Sequence, residues 1–270
     1  MIIIFSTIGF LLTVFIGGRI NLNLKFKKEV ATLFAQSKPI QNKTFFYQQL
    51  IGLPEPVQRY FKLVLKEGQH YISYVRMTHS GQFKTGAKKS WVNIDGEQYA
   101  TTQKPSFIWK GTTTMFTARD MFICNTGRLV VSILSLINVV DGKGKAYDQG
   151  ELLRWLGESV LYPTNLLPSQ NLHWESIDHL HAKFTYNYNG MSLFYLVTFN
   201  EAGEIIQLET KRYMDINHLE TWIIKLANYK ELNKVTIPTV FEVLWRLKTG
   251  DLSYAKFNMT KVEYDNPKMF

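Results

Sequence analysis

Glu151, Arg154 and Glu158 stand at i, i+3 and i+7. On a helix that spacing lines one face with a ladder of opposite charges. At the mouth of a cavity such a ladder can hold a polar group or move a proton. On an open surface it is only a solvated or structural ion-pair face. Arg76 and His79 are the second pair with chemistry to offer. They differ in parity along a strand, so the pleat sends them to opposite faces. The six tryptophans, Trp109 among them, are spread over the whole body, where they pack a core or line a ligand cavity. The candidate ligand-binding residues are therefore Arg76, His79, Trp109, Glu151, Arg154 and Glu158.

No catalytic residue can be assigned. There is no G-x-S-x-G, and the single cysteine, Cys124, has no assignable base, so it reads as a small buried hydrophobe. One cysteine also excludes an intramolecular disulfide and a multi-cysteine metal site. His179 and His181 would share a strand face, but i, i+2 spacing is common and no third ligand is placed, so no metal and no cofactor is assigned.

The elements that must position these residues follow from patterning. Of 270 residues, 46% are apolar and 20% charged, which suits a globular chain rather than a disordered, collagenous or coiled-coil one. Residues 2–18 carry no charge. Seventeen such residues lie at the lower edge of a membrane span. The expectation is an uncleaved single-pass anchor over 1–18. A signal peptide fits less well, because Phe15 and Ile16 precede Gly17-Gly18. A buried helix is the third possibility. The basic residues Arg19, Lys25, Lys27 and Lys28 come next, so the positive-inside rule favours a cytoplasmic body, and the side of the membrane stays open.

The net charge is +9, and from Arg19 to Gln69 nine basic against three acidic residues leave +6 of it. That segment suits an anionic membrane surface, at about 1 kcal/mol per basic residue near the headgroups. A solvated basic helix is the alternative. Nucleic acid is not an expected partner, because no basic stripe continues into the body.

The periodicity predicts short helices over 26–36, 54–66 and 149–161. After Gly68 the period becomes 2, and strands are expected over 71–79, 107–109, 121–125 and 139–146. In the last third they are expected over 182–188, 191–199, 205–213, 222–232, 237–247 and 254–264. Asp95-Gly96 reads as a hairpin turn splitting 91–101 into two strands, and Asn189-Gly190 as another. Residues 129–140, LVVSILSLINVV, read as a buried strand or strand pair. The fold class is mainly β (α+β): a single curved antiparallel sheet or half-barrel with a covering helix, preceded by N-terminal helices. Its domains are an anchor (1–18), basic juxtamembrane helices (19–69) and a half-barrel (70–270).

Several motifs carry a resemblance. The stretch from Leu53 to Phe61, LPEPVQRYF, and that from Arg76 to Phe83, RMTHSGQF, are two of them. PSFIW at 105–109, GELLRWLGE at 150–158 and VTIPT at 235–239 are the others. Together they resemble a bacterial family of membrane-anchored proteins with no assigned activity, over most of the chain after residue 50. The architecture is also similar to the lipoprotein carriers LolA and LolB, whose half-barrels hold acyl chains. The resemblance implies a topology and a fold, not a reaction. The expected function is a membrane-anchored binding protein that shelters an apolar ligand, a membrane lipid, an acyl chain or another apolar small molecule. The alternative is a hydrolase or transferase at the membrane surface.

Overall fold

The computed structural model of the chain describes residues 2–40, 42–86 and 89–270, the first of these, 2–12, by backbone alone. Helix α1 spans Ile2–Ala35 and α2 spans Glu55–Val64. Six strands follow: β1 (Tyr74–Phe83), β2 (Val92–Thr101), β3 (Ser106–Thr112), β4 (Phe116–Ile123), β5 (Thr126–Ile133) and β6 (Ile137–Lys143). Helix α3 (Lys145–Gly157) runs on into two short 3-10 helices at Glu158–Leu161 and Pro163–Leu166. Seven more strands complete the chain: β7 (Leu172–Ser176), β8 (His181–Tyr188), β9 (Met191–Phe199), β10 (Ile205–Tyr213), β11 (Leu219–Leu232), β12 (Val235–Leu247) and β13 (Gly250–Tyr264).

All thirteen strands form one open antiparallel sheet in the order β6-β5-β4-β3-β2-β1-β13-β12-β11-β10-β9-β8-β7. It is two meanders joined in the middle by β1 and β13, with Val75 opposite Tyr264 and Phe83 opposite Ala255. The last strand of the first meander and the first strand of the second are the two outer edges. The link between them is α3, which must cross the whole sheet. It touches β3, β4, β5 and β6 on one side and β9 and β10 on the other, so the sheet curls around it.

The inner face carries the main core. Leu152, Leu153, Trp155 and Leu156 of α3 and Val57, Tyr60, Phe61 and Val64 of α2 pack there against Val75, Phe107, Phe184, Tyr195 and Trp222. Alternation along the strands puts Tyr99, Ile108 and Met121 on the opposite face, where Phe26, Val30 and Leu33 of α1 cover them. On that face Glu29 of α1 pairs with the buried Arg119 of β4.

The expected fold class and most strand positions hold, and four expectations need correction. First, among the described residues no helix is long and apolar enough to cross a membrane, which overturns the single-pass membrane localisation. From residue 13 on, α1 carries Arg19, Lys25, Lys27, Lys28 and Glu29, and its last turns are spent on the sheet. The side chains of 2–12, on which the expected anchor also drew, lie outside the described residues. Second, α1 is continuous, with no break before 26.

Third, Asp95-Gly96 is no turn: both lie inside β2, paired with Thr112 and Gly111. Glycine is needed there because a Cβ at 96 would sit 1.9 Å from His79 Nε2. Fourth, the stretch 129–140 is a strand pair buried only on its β5 side, at Val130 and Ser132. Leu134 and Leu136 are exposed at the β5–β6 turn, and Ile137 is 66% exposed on edge strand β6.

Candidate functional site

The six sequence candidates divide between the two faces. Arg76 points outward from β1, where it pairs with Glu263 of β13, lies 4.6 Å over the Phe270 ring and donates to the Met269 carbonyl at 2.9 Å. It belongs to a structural clasp on the chain terminus and not to the inner site. The other five, His79, Trp109, Glu151, Arg154 and Glu158, all face the space between α3 and the sheet.

Arg154 is their centre. Its guanidinium donates to Asp120 of β4, to Glu158 Oε1 at 2.9 Å and to Gln98 Oε1 of β2 at 3.2 Å. Gln98 in turn donates to Glu158. The guanidinium also lies 4.7 Å over the Trp109 ring and 5.2 Å over Phe107. One helical turn away, Glu151 is 3% exposed and accepts from Arg212 of β10 at 3.3 Å. Arg212 lies 4.4 Å over Trp222. The ladder on α3 is therefore not a solvated rim. Its two acids are divided between strands of the two meanders, and α3 is tied to both halves of the sheet.

Burial sets the protonation. It pushes the Glu151 carboxyl up to about 8, helped by the negative charge of Asp120 and opposed by Arg212 and Arg154. Burial raises Asp120 as well, against the pull of Arg154 and Arg212. The two acids sense each other, and burial favours the protonated form of both. Burial works against the charge on Arg154, but Glu158, Asp120 and Glu151 together hold it above its ordinary value. His79 is lowered to about 3, first by burial and then by Arg154, so it is neutral. Trp109 Nε1 donates to its Nε2 at 2.8 Å, which leaves the proton on Nδ1. That Nδ1, Asp120 Oδ1, Glu151 Oε2 and Arg212 Nε are buried without partners.

Sequence reasoning missed Gln98, Asp120 and Arg212. The signal was there for the charged pair. Asp120 falls in phase with Ala118 and Phe122 on β4, and Arg212 in phase with Leu208 and Thr210 on β10. A charge at the apolar phase of a strand is a buried charge in search of a partner. Cys124, expected in the core, is exposed in the β4–β5 turn. It and Asn125 both take positive φ there, 54° and 61°, which a tight hairpin requires. His181 pairs with Asp178, and His179 lies 3.8 Å from Glu201.

Comparison with known proteins adds the following. The sequence model of a family of unknown function, DUF6920, matches residues 51–264. No curated protein matches the chain. Among solved structures, a LolA superfamily protein from Nitrosomonas europaea is 10% identical. It superposes with a TM-score of 0.44 over 78% of this chain and 92% of its own. A Vibrio parahaemolyticus domain named as an outer membrane lipoprotein-sorting protein is also 10% identical. Its TM-score is 0.39, over 72% of this chain and 86% of its own.

Proposed function

The chain belongs to DUF6920, a family of unknown function, and we propose that it is a binding protein that shelters an apolar ligand, such as a lipid or acyl chain, between α3 and the inner face of the sheet. Residues 70–270 form the binding domain in this reading, and the basic segment within 19–69 meets an anionic membrane surface.

One observation carries the proposal: α3 is held on an unclosed sheet by two different kinds of contact. Its leucines and Trp155 are fully buried against apolar and aromatic side chains, a contact that has no direction and that an acyl chain can replace. Its polar side chains make a few directed bonds to Asp120, Gln98 and Arg212. Such bonds are made or broken as units, which suits a latch with a closed and an open arrangement. The structure then represents the closed arrangement, with protein side chains in the ligand's place. A hydrolase or transferase reading would instead use Glu151 as a proton donor beside the carboxylate of Asp120.

The test is titration of the full chain with N-phenyl-1-naphthylamine, an uncharged apolar dye that brightens in apolar surroundings. Saturable binding near one site per chain is expected. Asp120→Asn loosens the latch, raises the open fraction and should tighten apparent binding at least threefold. No saturable binding in either protein sinks the proposal.

A further inference from the structure

A cavity lies away from α3. It has a volume of about 560 Å³ and is lined by Leu33, Gln36 and Ser37 at the end of α1, Lys104, Pro105 and Ser106, and Cys124, Asn125 and Tyr188. Four segments distant in sequence meet there, and the hydrogen bond from Tyr188 Oη to Asn125 Oδ1, 2.8 Å, joins the two meanders across it. That volume is within the usual range of small-molecule sites.

Its chemistry is one-sided. One cation and no acid line it. The Gln36 and Asn125 amide oxygens already accept, from Cys124 Sγ and Tyr188 Oη, so what each amide has left to offer is its NH₂ group, a donor. Ser37 is 7% exposed and its hydroxyl has no partner. Leu33, Pro105 and the Tyr188 ring supply apolar wall. The C-terminus of α1 opposes an anion here, but with only about half a charge against the full charge of Lys104.

We propose that this cleft binds a small organic anion, a carboxylate on a short apolar body, with the anion at Lys104 and the body along Leu33 and Pro105. The same head chemistry is offered by a free carboxylate and by an anionic lipid headgroup, and the free molecule is the one whose size matches the cavity.

Cys124 is the only cysteine and is exposed in the cleft, so its alkylation reports occupancy of this site and not of the space under α3. The rate of Cys124 alkylation by iodoacetamide in the full chain is measured with and without octanoate. Octanoate is expected to slow it at least threefold, octylamine and inorganic phosphate not to, and Lys104→Gln to abolish the protection. Three outcomes overturn the proposal. They are no protection by octanoate, whether or not phosphatidylglycerol vesicles protect, equal protection by octylamine, and equal protection by phosphate alone. A failed dye titration with intact octanoate protection would sink the α3 reading and leave this site standing.

Discussion

At the scale of single residues, Gly96 and Glu151 show how tightly the inner face is set. Any side chain at 96 would run into the His79 ring, whose other side is held by Phe257 at 4.2 Å between centroids. Gly96→Ala should therefore cost about 1–3 kcal/mol, the range for overpacking a filled core, read as a lower urea midpoint at unchanged slope.

Glu151 gives a pH dependence. Its ordinary value is 4.5 and its folded value about 8, so between those limits the folded chain keeps a proton that the unfolded chain has released, and stability falls as pH rises. His79 acts in the opposite sense below about 6.5, because an unfolded histidine takes up a proton that the folded one refuses. The window in which Glu151 acts without that opposition is roughly pH 6.5 to 8. There the wild type should lose up to about 2 kcal/mol, at about 1.4 kcal/mol per unit. Glu151→Gln, which mimics the protonated acid, should lose little. Parallel melting curves of the two proteins over that window would remove the assignment of the proton to Glu151.

At the scale of elements, α3 was legible as a helix and as a cover, but its polar side was not. The leucine spacing at 152, 153 and 156 is a property of the helix alone. Whether Glu151 and Glu158 meet water or a strand depends on how far the sheet curls, which no local pattern records. The stretch 129–140 failed in the opposite direction. Its apolar run reads as core, yet β6 is an edge strand with little packed over it. Helix and turn meet at Gly18, where a Cβ would lie 2.3 Å from Leu136 Cδ2, so part of that apolar surface is spent against α1. The buried latch and a surface pair should separate cleanly in mutation. Arg154→Gln leaves Asp120 and Glu158 facing each other's charge in a buried site, at about 3–5 kcal/mol. Lys66→Ala removes the exposed pair with Glu231 and should cost less than about 1 kcal/mol. Equal urea midpoints for the two variants would mean that the Arg154 cluster holds nothing together.

At the scale of the whole molecule, hairpin order was readable because each meander is a chain of local pairings. Short turns such as Asn189-Gly190 fix strand neighbours without reference to the rest of the fold. The one pairing that joins the meanders was not readable. β1 and β13 are separated by most of the chain, and nothing in 74–83 or 255–264 names the other as its partner. Yet this seam lies at the middle of the sheet, and Asp265 just beyond it accepts from the backbone of Ser73 and Tyr74. Removing β13 would open two long strand edges at once, those of β1 and β12, in the centre of the apolar face. It would also leave α3 bonded to two halves with no sheet between them. A chain ending at residue 249 is therefore expected not to keep a smaller half-barrel but to lose cooperative melting and aggregate through those edges. Deleting only residues 266–270 strips the Met269 carbonyl and the Phe270 ring from Arg76 but leaves its ion pair with Glu263, so that chain should stay folded with a modestly lower melting temperature. A soluble, cooperatively melting 1–249 chain would show instead that each meander holds its own half of the core.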